Sequence, residues 1–191
     1  MFLLALTTTL THAAPALHAG AQLGATWGRS GLGPGPAVRL HAGVSLGTEH
    51  LIILPQVALG VSQASASGVV TDTGDSTWTW ETQARSARAG AGLTLRILDT
   101  SPRLHPEISA QGELHLIATT TRGEGHGGDL TPATELLLRP GARLGAGVGI
   151  TAGPGEFLLE VAMGWVPTDG VLTGTVSGWS LLPSLGYRVN R

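Results

Sequence analysis

Serine, histidine and acidic side chains are the groups of this chain that could carry out chemistry, and their spacing decides whether they do. Residues 43–47 read Gly-Val-Ser-Leu-Gly and match the G-x-S-x-G motif, in which a sharp turn between a strand and a helix exposes a nucleophilic serine. Ser45, however, lies inside a regular alternation of apolar and small residues, which is typical of an uninterrupted strand. We therefore interpret the match as chance.

Histidines and glutamates lie close together between residues 105 and 115. His105 and Glu107 flank a proline, and Glu113 is two residues from His115. Such pairs could bind a metal or act as acid and base, but the ligand spacings that metal sites require are missing. We expect a hydrogen-bonded polar network in this region, with no catalytic residue, no metal and no cofactor.

The composition limits the classes of protein to which the chain can belong. Its 191 residues fit one domain, only 13% of them are charged, and the formal net charge is -2. The chain has no basic patch with interleaved aromatic residues, so we expect no nucleic-acid partner. The absence of cysteine excludes disulfides and thiolate metal sites, and no apolar run approaches the ~18 residues of a membrane helix.

The clearest structural signal is a period of two between residues 136 and 165. Even positions from 136 to 150 are apolar or proline, whereas the odd positions are mostly glycine and arginine. A Gly-Pro-Gly turn follows at 153–155, and the odd positions from Phe157 to Trp165 are then apolar. Each segment has one apolar face and one face of small or polar residues, which predicts a long antiparallel β-hairpin.

The same alternation recurs along the chain and produces eight runs. Their ranges are 17–27, 38–46, 51–61, 87–97, 104–116, 136–150, 157–165 and 179–189. The connections alternate in length, and the long polar ones span 29–37, 64–79, 122–133 and 167–174. Long loops at one end, short turns at the other and runs long enough to cross a bilayer when tilted are typical of membrane barrels. We predict an all-β, eight-stranded antiparallel up-and-down transmembrane β-barrel over residues 17–191.

The aromatic residues on the apolar face fall at the two predicted rims. One rim has Trp27, Trp165 and Trp179, and the opposite rim has Phe157 and Tyr187. Indole and phenol rings prefer the headgroup zone of a membrane because they are apolar with a polar tip. Trp78 and Trp80 also lie near the tryptophan rim, but their parity points them inward, so a bulge or a loop position would be needed.

The first sixteen residues resemble a signal peptide. Residues 2–10 form a short apolar region, and Ala14-Pro-Ala16 resembles a small-residue cleavage site, with Ala13 and Ala14 as alternative cleavage positions. The other interpretation is a first strand with a frayed end. Export from the N-terminal side, together with an even number of strands, would leave both termini in the periplasm.

Alternation alone does not tell which face of a barrel is inside. A soluble secreted barrel of the lipocalin type, with an apolar interior, is therefore an alternative. The apolar face of this chain contains many alanines, whereas small soluble barrels fill their interior with bulky side chains. Together with the export signal, the loop lengths and the aromatic rims, this favours an apolar face that contacts lipid.

If the apolar face meets lipid, the charged residues line a lumen. Buried charges must be paired, so we predict a network that packs the lumen and leaves no wide pore. Its predicted members are Arg139 and Arg143, with Glu160, Glu107 and Glu113 from the two neighbouring strands.

Four prolines lie inside the predicted runs, at positions 55, 106, 140 and 183. Each proline removes a hydrogen-bond donor from the ladder between strands. We therefore expect bulges or strand ends at these four positions.

The whole pattern resembles the small eight-stranded outer-membrane barrels of the OmpA-like transmembrane-domain type. The resemblance rests on the eight runs, the glycine-rich lumen side of residues 143–149 and the closing segment 181–189. It implies a place in the bacterial outer membrane, contact with outer-membrane lipid and insertion by the outer-membrane insertion machinery. Members often end on an aromatic residue that this machinery reads, whereas here Tyr187 is followed by Arg188-Val-Asn-Arg191.

The resemblance implies a structural, adhesive or interaction role through extracellular loops, with a loop partner that the sequence does not specify. The alternative within the same resemblance is a lipid A-modifying enzyme, because some small barrels of this kind carry serine and histidine near the outer rim. His126 lies in one predicted outer loop and Ser65 and Ser67 in another, but they form no recognisable catalytic group. We therefore expect a protein that is not an enzyme.

Overall fold

The computed structural model describes residues 15–28, 32–48, 50–71, 77–98, 103–125, 128–167 and 177–190. The strands are β1 (Ala16–Gly28), β2 (Gly35–Gly47), β3 (Leu51–Thr71), β4 (Thr77–Ile97), β5 (Leu104–Gly125), β6 (Gly128–Ala152), β7 (Gly155–Pro167) and β8 (Ser177–Asn190). Each strand pairs antiparallel with the next, and β8 pairs with β1 to close the barrel. The predicted eight-stranded up-and-down barrel is confirmed. Residues 1–14, most of the predicted signal peptide, lie outside the described residues.

The two faces of the barrel wall differ sharply in polarity. Apolar side chains that alternate along the strands point outward and stay exposed, for example Leu17 at 66% and Leu144 at 57%. The interior instead contains buried arginine, glutamate, histidine and glutamine side chains. Because exposed apolar surface of this extent is stable only against lipid, the barrel is a transmembrane one, and the soluble lipocalin-type alternative does not fit. The described residues contain no helix that is long and apolar enough to cross a membrane.

Both described chain ends lie at one end of the barrel, which we call the terminal rim. The β6–β7 hairpin turns there through Gly153 and Pro154, with Ala152 paired to Gly155. Gly153 has a φ of 60°, and proline fixes φ near −65° at the second turn position. This combination is that of a type II′ turn, whose twist matches the flanking strands. The predicted Gly-Pro-Gly turn thus forms a two-residue hairpin loop.

The opposite end, which we call the extended rim, is uneven because the strands differ in length. Strands β1, β2, β7 and β8 have 13 or 14 residues, whereas β3 to β6 have 21 to 25. Pairing of β2 with β3 stops at Ala37–Ser62, and pairing of β6 with β7 starts at Ala142–Trp165. Beyond these points residues 63–71, 77–85, 117–125 and 128–141 continue as a four-stranded sheet, which we call the projecting sheet.

Two segments that the sequence predicts to be loops are instead strands of the projecting sheet. Segments 64–79 and 122–133 were expected to be polar loops, but most of their described residues lie in strands. Valine, threonine and tryptophan in the first segment favour extended backbone, which its glycines and serines obscure. The second segment contains neither valine nor tryptophan, and its described residues are extended through the pairing of β5 with β6. The ladder also contains a register shift between Thr121 and Gly123, where β6 has one extra residue relative to β5.

Each of the four prolines lies at a point where its strand remains paired with one of its two neighbouring strands. At Pro55 and Pro183 the pairing is continuous with β4 and β7, but it is interrupted on the side of β2 and β1. Pro106 lies just past the last pair between β5 and β4, and Pro140 just before the first pair between β6 and β7. The N–H donor that each proline lacks therefore falls where one of its two ladders is interrupted or ends. None of these four prolines lies at the register shift between β5 and β6.

Candidate functional site: the lumen and the projecting sheet

The lumen is filled by polar side chains from all eight strands. Its buried polar and charged residues are His18, Gln22, Arg39, His41, Gln56, Thr94, Arg96, His105, Ser109, Gln111, Glu113, His115, Thr119, Arg143, Glu156 and Arg188. Period-two alternation directs each of them inward, because the neighbouring residue on either side faces outward. Charges buried in this way must find partners, and most of them do so in two layers along the barrel axis.

The layer near the terminal rim is a four-membered cluster, which we call the terminal layer. Arg96 of β4 donates two parallel hydrogen bonds to Glu156 of β7, from Nη1 to Oε1 at 2.9 Å and from Nη2 to Oε2 at 2.7 Å. Its Nε also donates to Glu107 Oε1 at 2.8 Å. Arg188 of β8 donates to both carboxylates, with Nη2 at 2.7 Å from Glu156 Oε2. Two arginines and two glutamates balance in charge, and the bidentate geometry gives strong, directional pairing.

The second layer lies deeper in the barrel, and we call it the central layer. Glu160 of β7 accepts hydrogen bonds from Gln22 Nε2 at 2.8 Å, Ser109 Oγ at 3.0 Å and Arg143 Nη2 at 3.2 Å. Arg39 Nη1 donates to Gln22 Oε1 at 2.7 Å and so joins the same network. Glu160 is therefore the acceptor on which three strands other than its own converge.

Gly145 of β6 makes room for the central layer. A Cβ added there would run into the Glu160 carboxylate and the Ser109 hydroxyl. One added at Gly149 would lie 3.4 Å from Glu156 Oε2 and 3.5 Å from Glu107 Oε1, which is ordinary van der Waals contact. Gly145 thus lets the Glu160 carboxylate lie directly against the backbone of this strand.

The five residues predicted for a lumen network occupy different places. Arg143 contacts Glu160, whereas Glu107 contacts Arg96 and Arg188 in the terminal layer. Glu113 lies beside His115, whose Nε2 is 3.1 Å from Glu113 Oε2.

Arg139 remains half-buried on the lumen face, nearer the extended rim, where Nη1 donates to the Leu138 carbonyl oxygen at 3.4 Å. Glu156 was not among the predicted lumen residues. Its even position in β7 puts it on the same face as Glu160, so parity counted from Phe157 could have identified it.

The other candidate catalytic groups form no active site in the described part of the chain. Ser45 lies within the continuous strand β2, not in a turn that leads to a helix. His105 Nε2 is 3.1 Å from the Thr151 hydroxyl. Ser65 and Ser67 are exposed on the projecting sheet, and His126 lies outside the described residues. No group of three or more histidine or acidic residues suited to a metal ion occurs among the described positions.

The predicted rim aromatics lie on the outward face, at opposite ends of neighbouring strands. Trp165 pairs directly with Trp179, and Trp27 lies on the adjacent strand β1. Phe157 pairs with Tyr187 in an edge-to-face contact with ring centroids 5.2 Å apart, and the Tyr187 hydroxyl donates to the Ala152 carbonyl oxygen at 3.0 Å. Along β7 the two rims are separated by roughly 20 Å in the axial direction, allowing about 3.3 Å per residue and a tilt of about 40°.

The outward face changes character where the projecting sheet begins. Across the row Val61, Ala87, Leu116 and Leu138 it is apolar, whereas the rows beyond carry mostly polar residues. Those polar residues are Gln63, Ser65, Ser67, Thr79, Glu81, Gln83, Arg85, Thr120, Arg122, Glu124 and Thr134. This change marks the boundary of the lipid-facing band on the long strands.

Trp78 and Trp80 lie on the inward face of the projecting sheet, as their parity requires. Neither a bulge nor a loop is needed, because β4 continues as a regular strand from Thr77. Trp80 packs over Gly68 of β3 and Trp78 over Gly125 of β5, where an added Cβ would clash with each indole ring. Trp80 is 37% exposed, and Val70 and Leu130 on the same face are more than half exposed. The projecting sheet therefore has a polar outward face and an apolar, partly exposed inward face.

No protein-family model matches the chain, and no curated protein matches its sequence. Solved structures do match its fold. Neisserial surface protein A aligns with 93% of this chain and 97% of its own, with a TM-score of 0.52 and 15% sequence identity. The outer-membrane protease OmpT from Escherichia coli aligns with 96% of this chain and 100% of its own, with a TM-score of 0.52 and 8% identity. The chain thus has the fold of the OmpA-like outer-membrane β-barrels.

Proposed function

We propose that this protein is a bacterial outer-membrane barrel with both termini in the periplasm, and that its projecting sheet binds partners outside the cell. In this proposal residues 1–16 are a cleaved signal peptide, and the outer-membrane insertion machinery places the barrel among outer-membrane lipids. The role is structural, adhesive or interactive and not enzymatic. The observation that carries the proposal is the projecting sheet itself, which extends four strands past the lipid-facing band.

Two features of the projecting sheet support binding. Apolar residues that are partly exposed outside a membrane are unusual on a protein surface unless they contact something, and Trp80, Val70 and Leu130 form such a group. Among the described residues, segment 67–71 of β3 pairs with β4 alone, so its other side has no described strand beside it. Free strand edges and exposed tryptophans are both used in protein recognition.

The orientation can be tested by cysteine labelling, because the native chain has no cysteine. Ser67→Cys lies on the projecting sheet and Pro154→Cys in the β6–β7 turn at the terminal rim. A membrane-impermeant maleimide is expected to label Ser67→Cys on intact cells and Pro154→Cys only after the outer membrane is permeabilised. The opposite pattern would show that the barrel is inserted the other way round.

The binding role can be tested with cells that display the barrel and a panel of purified extracellular-matrix proteins and glycosaminoglycans. We expect display to raise adherence to at least one of them, and the double variant Trp78→Ala, Trp80→Ala to lower it to the level of cells without the barrel. The matched control is Thr79→Ser, Glu81→Gln, which alters the opposite face of the same strand and should leave adherence unchanged. Unchanged adherence together with a mass change in lipid A would instead support the enzymatic alternative.

A further inference from the structure

Three arginines of the lumen converge on one small cavity between the central layer and the extended rim. Arg39, Arg88 and Arg143 all line it, together with Gln22, Ser184 and Leu182. The cavity is about 10 Å³, which is close to the space that one water-sized particle occupies. Arg39 and Arg143 are 5% and 2% exposed, so both guanidinium groups lie inside the barrel and not at its mouth.

The geometry of the strands explains how these side chains meet. Arg39, Gly60 and Arg88 form one row across β2, β3 and β4. Because Gly60 has no side chain, Arg88 can lie over it, and an added Cβ there would be 2.7 Å from Arg88 Nε. Arg143 reaches the same space from β6 on the other side of the lumen.

Several guanidinium nitrogen atoms of these three arginines lack hydrogen-bond partners within the described part of the protein. They are Nε and Nη2 of Arg39, Nε and Nη1 of Arg143, and Nε of Arg88. The guanidinium group carries donors only, so the three arginines that line the cavity together hold five buried donor nitrogens without an acceptor. A buried donor without a partner costs free energy, so the missing group must be an acceptor.

The charged groups around the cavity indicate that the acceptor is negatively charged. The carboxylate of Glu160 is already engaged by Gln22, Ser109 and Arg143, and Glu113 lies beside His115. Counting only the arginines that line the cavity and these two glutamates, three positive charges meet two negative ones, whereas the terminal layer is balanced. A single negative charge would neutralise the excess and satisfy the donors, which a neutral water would do only in part.

We propose that the lumen binds one monatomic monovalent anion, chloride under cellular conditions, between Arg39, Arg88 and Arg143. Carboxylate, phosphate and sulfate groups contain too many atoms for a cavity of this size. The anion completes the packing of the lumen and links β2, β4 and β6, which are not neighbours in the barrel. This site is separate from the projecting sheet and does not depend on the proposed surface role.

The first test measures thermal unfolding of the full barrel in detergent micelles, read from its heat-modifiable gel mobility. Chloride and gluconate salts are compared at equal ionic strength, so that general screening is the same. We expect the midpoint in chloride to rise with concentration and then saturate, by about 5 °C or more once chloride exceeds its dissociation constant about 100-fold. Equal midpoints in the two salts would overturn the proposal.

Two variants of β4 make this test specific. Arg88→Gln removes the excess charge, so we expect a folded barrel whose midpoint no longer responds to chloride. Arg85→Gln lies three residues away on the exposed outward face and should keep the full response. If both variants respond like the native protein, the halide effect arises elsewhere and the proposed site is wrong.

The second test locates the ion directly. Crystals grown with bromide in place of chloride should show an anomalous peak between the three guanidinium groups, and this peak should be absent in Arg88→Gln. Density without anomalous signal at that point would identify a water molecule and overturn the proposal.

Discussion

Gly145 shows that a single residue of the lumen face can determine whether the Glu160 network fits inside the barrel. The Glu160 carboxylate and the Ser109 hydroxyl occupy the space where a side chain at this position would begin. We expect Gly145→Ala to destabilise the barrel by about 1–3 kcal/mol, because the carboxylate must move away from Gln22, Ser109 and Arg143. The measurement is a urea titration of the barrel in lipid vesicles or detergent.

Gly112 provides the matched control for this prediction. It lies in the neighbouring strand β5 on the outward face, and a Cβ added there would meet nothing within 4 Å. Gly112→Ala should therefore change the free energy of unfolding by no more than about 0.5 kcal/mol. Equal losses in both variants would mean that backbone conformation, and not the Glu160 network, makes glycine necessary.

The direction of each side chain was predictable from parity, but its partner was not. Arg143 and Glu160 lie on adjacent strands, and Arg143 Nη2 donates to Glu160 Oε2 at 3.2 Å. Glu107, however, contacts Arg188 of β8, which is three strands away across the lumen. Such contacts depend on the stagger and closure of the whole barrel, which alternation along single strands does not contain.

At the scale of the strand, β6 combines a lipid-facing segment and an external segment on one outward face. Leu144 is 57% exposed midway along its apolar run, whereas Thr134 is exposed in the projecting sheet. We expect Leu144→Arg to make folding into a bilayer less favourable by about 2–4 kcal/mol, since a charge near the midplane must leave water. Folding into vesicles followed by urea titration measures this loss.

Thr134→Arg is the control on the same strand and the same face. Its side chain would lie outside the lipid-facing band, so the stability should change by no more than about 0.5 kcal/mol. A similar loss in both variants would contradict the position of the boundary. If Leu144→Arg instead folded as well as the native chain, the lipid-facing assignment of β6 would be wrong.

The extents of the strands were the weakest part of what the sequence could predict. Runs with apolar outward residues were located correctly because burial in lipid imposes a strict period of two. The projecting sheet lacks that constraint, since water contacts its outward face, and its alternation is therefore weaker. Cross-strand contacts such as the one between the Thr82 and Thr121 hydroxyls at 2.9 Å help to hold it, and only the paired structure shows them.

For the whole molecule, the paired charges of the lumen form two layers in series along the barrel. The terminal layer and the central layer meet at β7, where Glu156 and Glu160 are four residues apart, roughly 13 Å along the strand. Each layer spans the interior with buried guanidinium and carboxylate groups, and the cavities next to the central layer are only about 20 and 10 Å³. We therefore expect no continuous column of water in this part of the lumen, and we expect that opening one layer leaves the other in place.

This serial arrangement predicts the conductance of the barrel and of its variants. In planar bilayers we expect the native protein to show no large, stable channel, because eight strands leave an interior that side chains fill. Replacing Arg96, Glu107, Glu156 and Arg188 by alanine removes the terminal layer in a charge-neutral way and should leave the bilayer closed. Adding Arg143→Ala and Glu160→Ala opens the central layer as well, and steps of conductance should then appear. Large steps from the native protein, or from the first variant alone, would contradict the closure of the lumen by two independent layers.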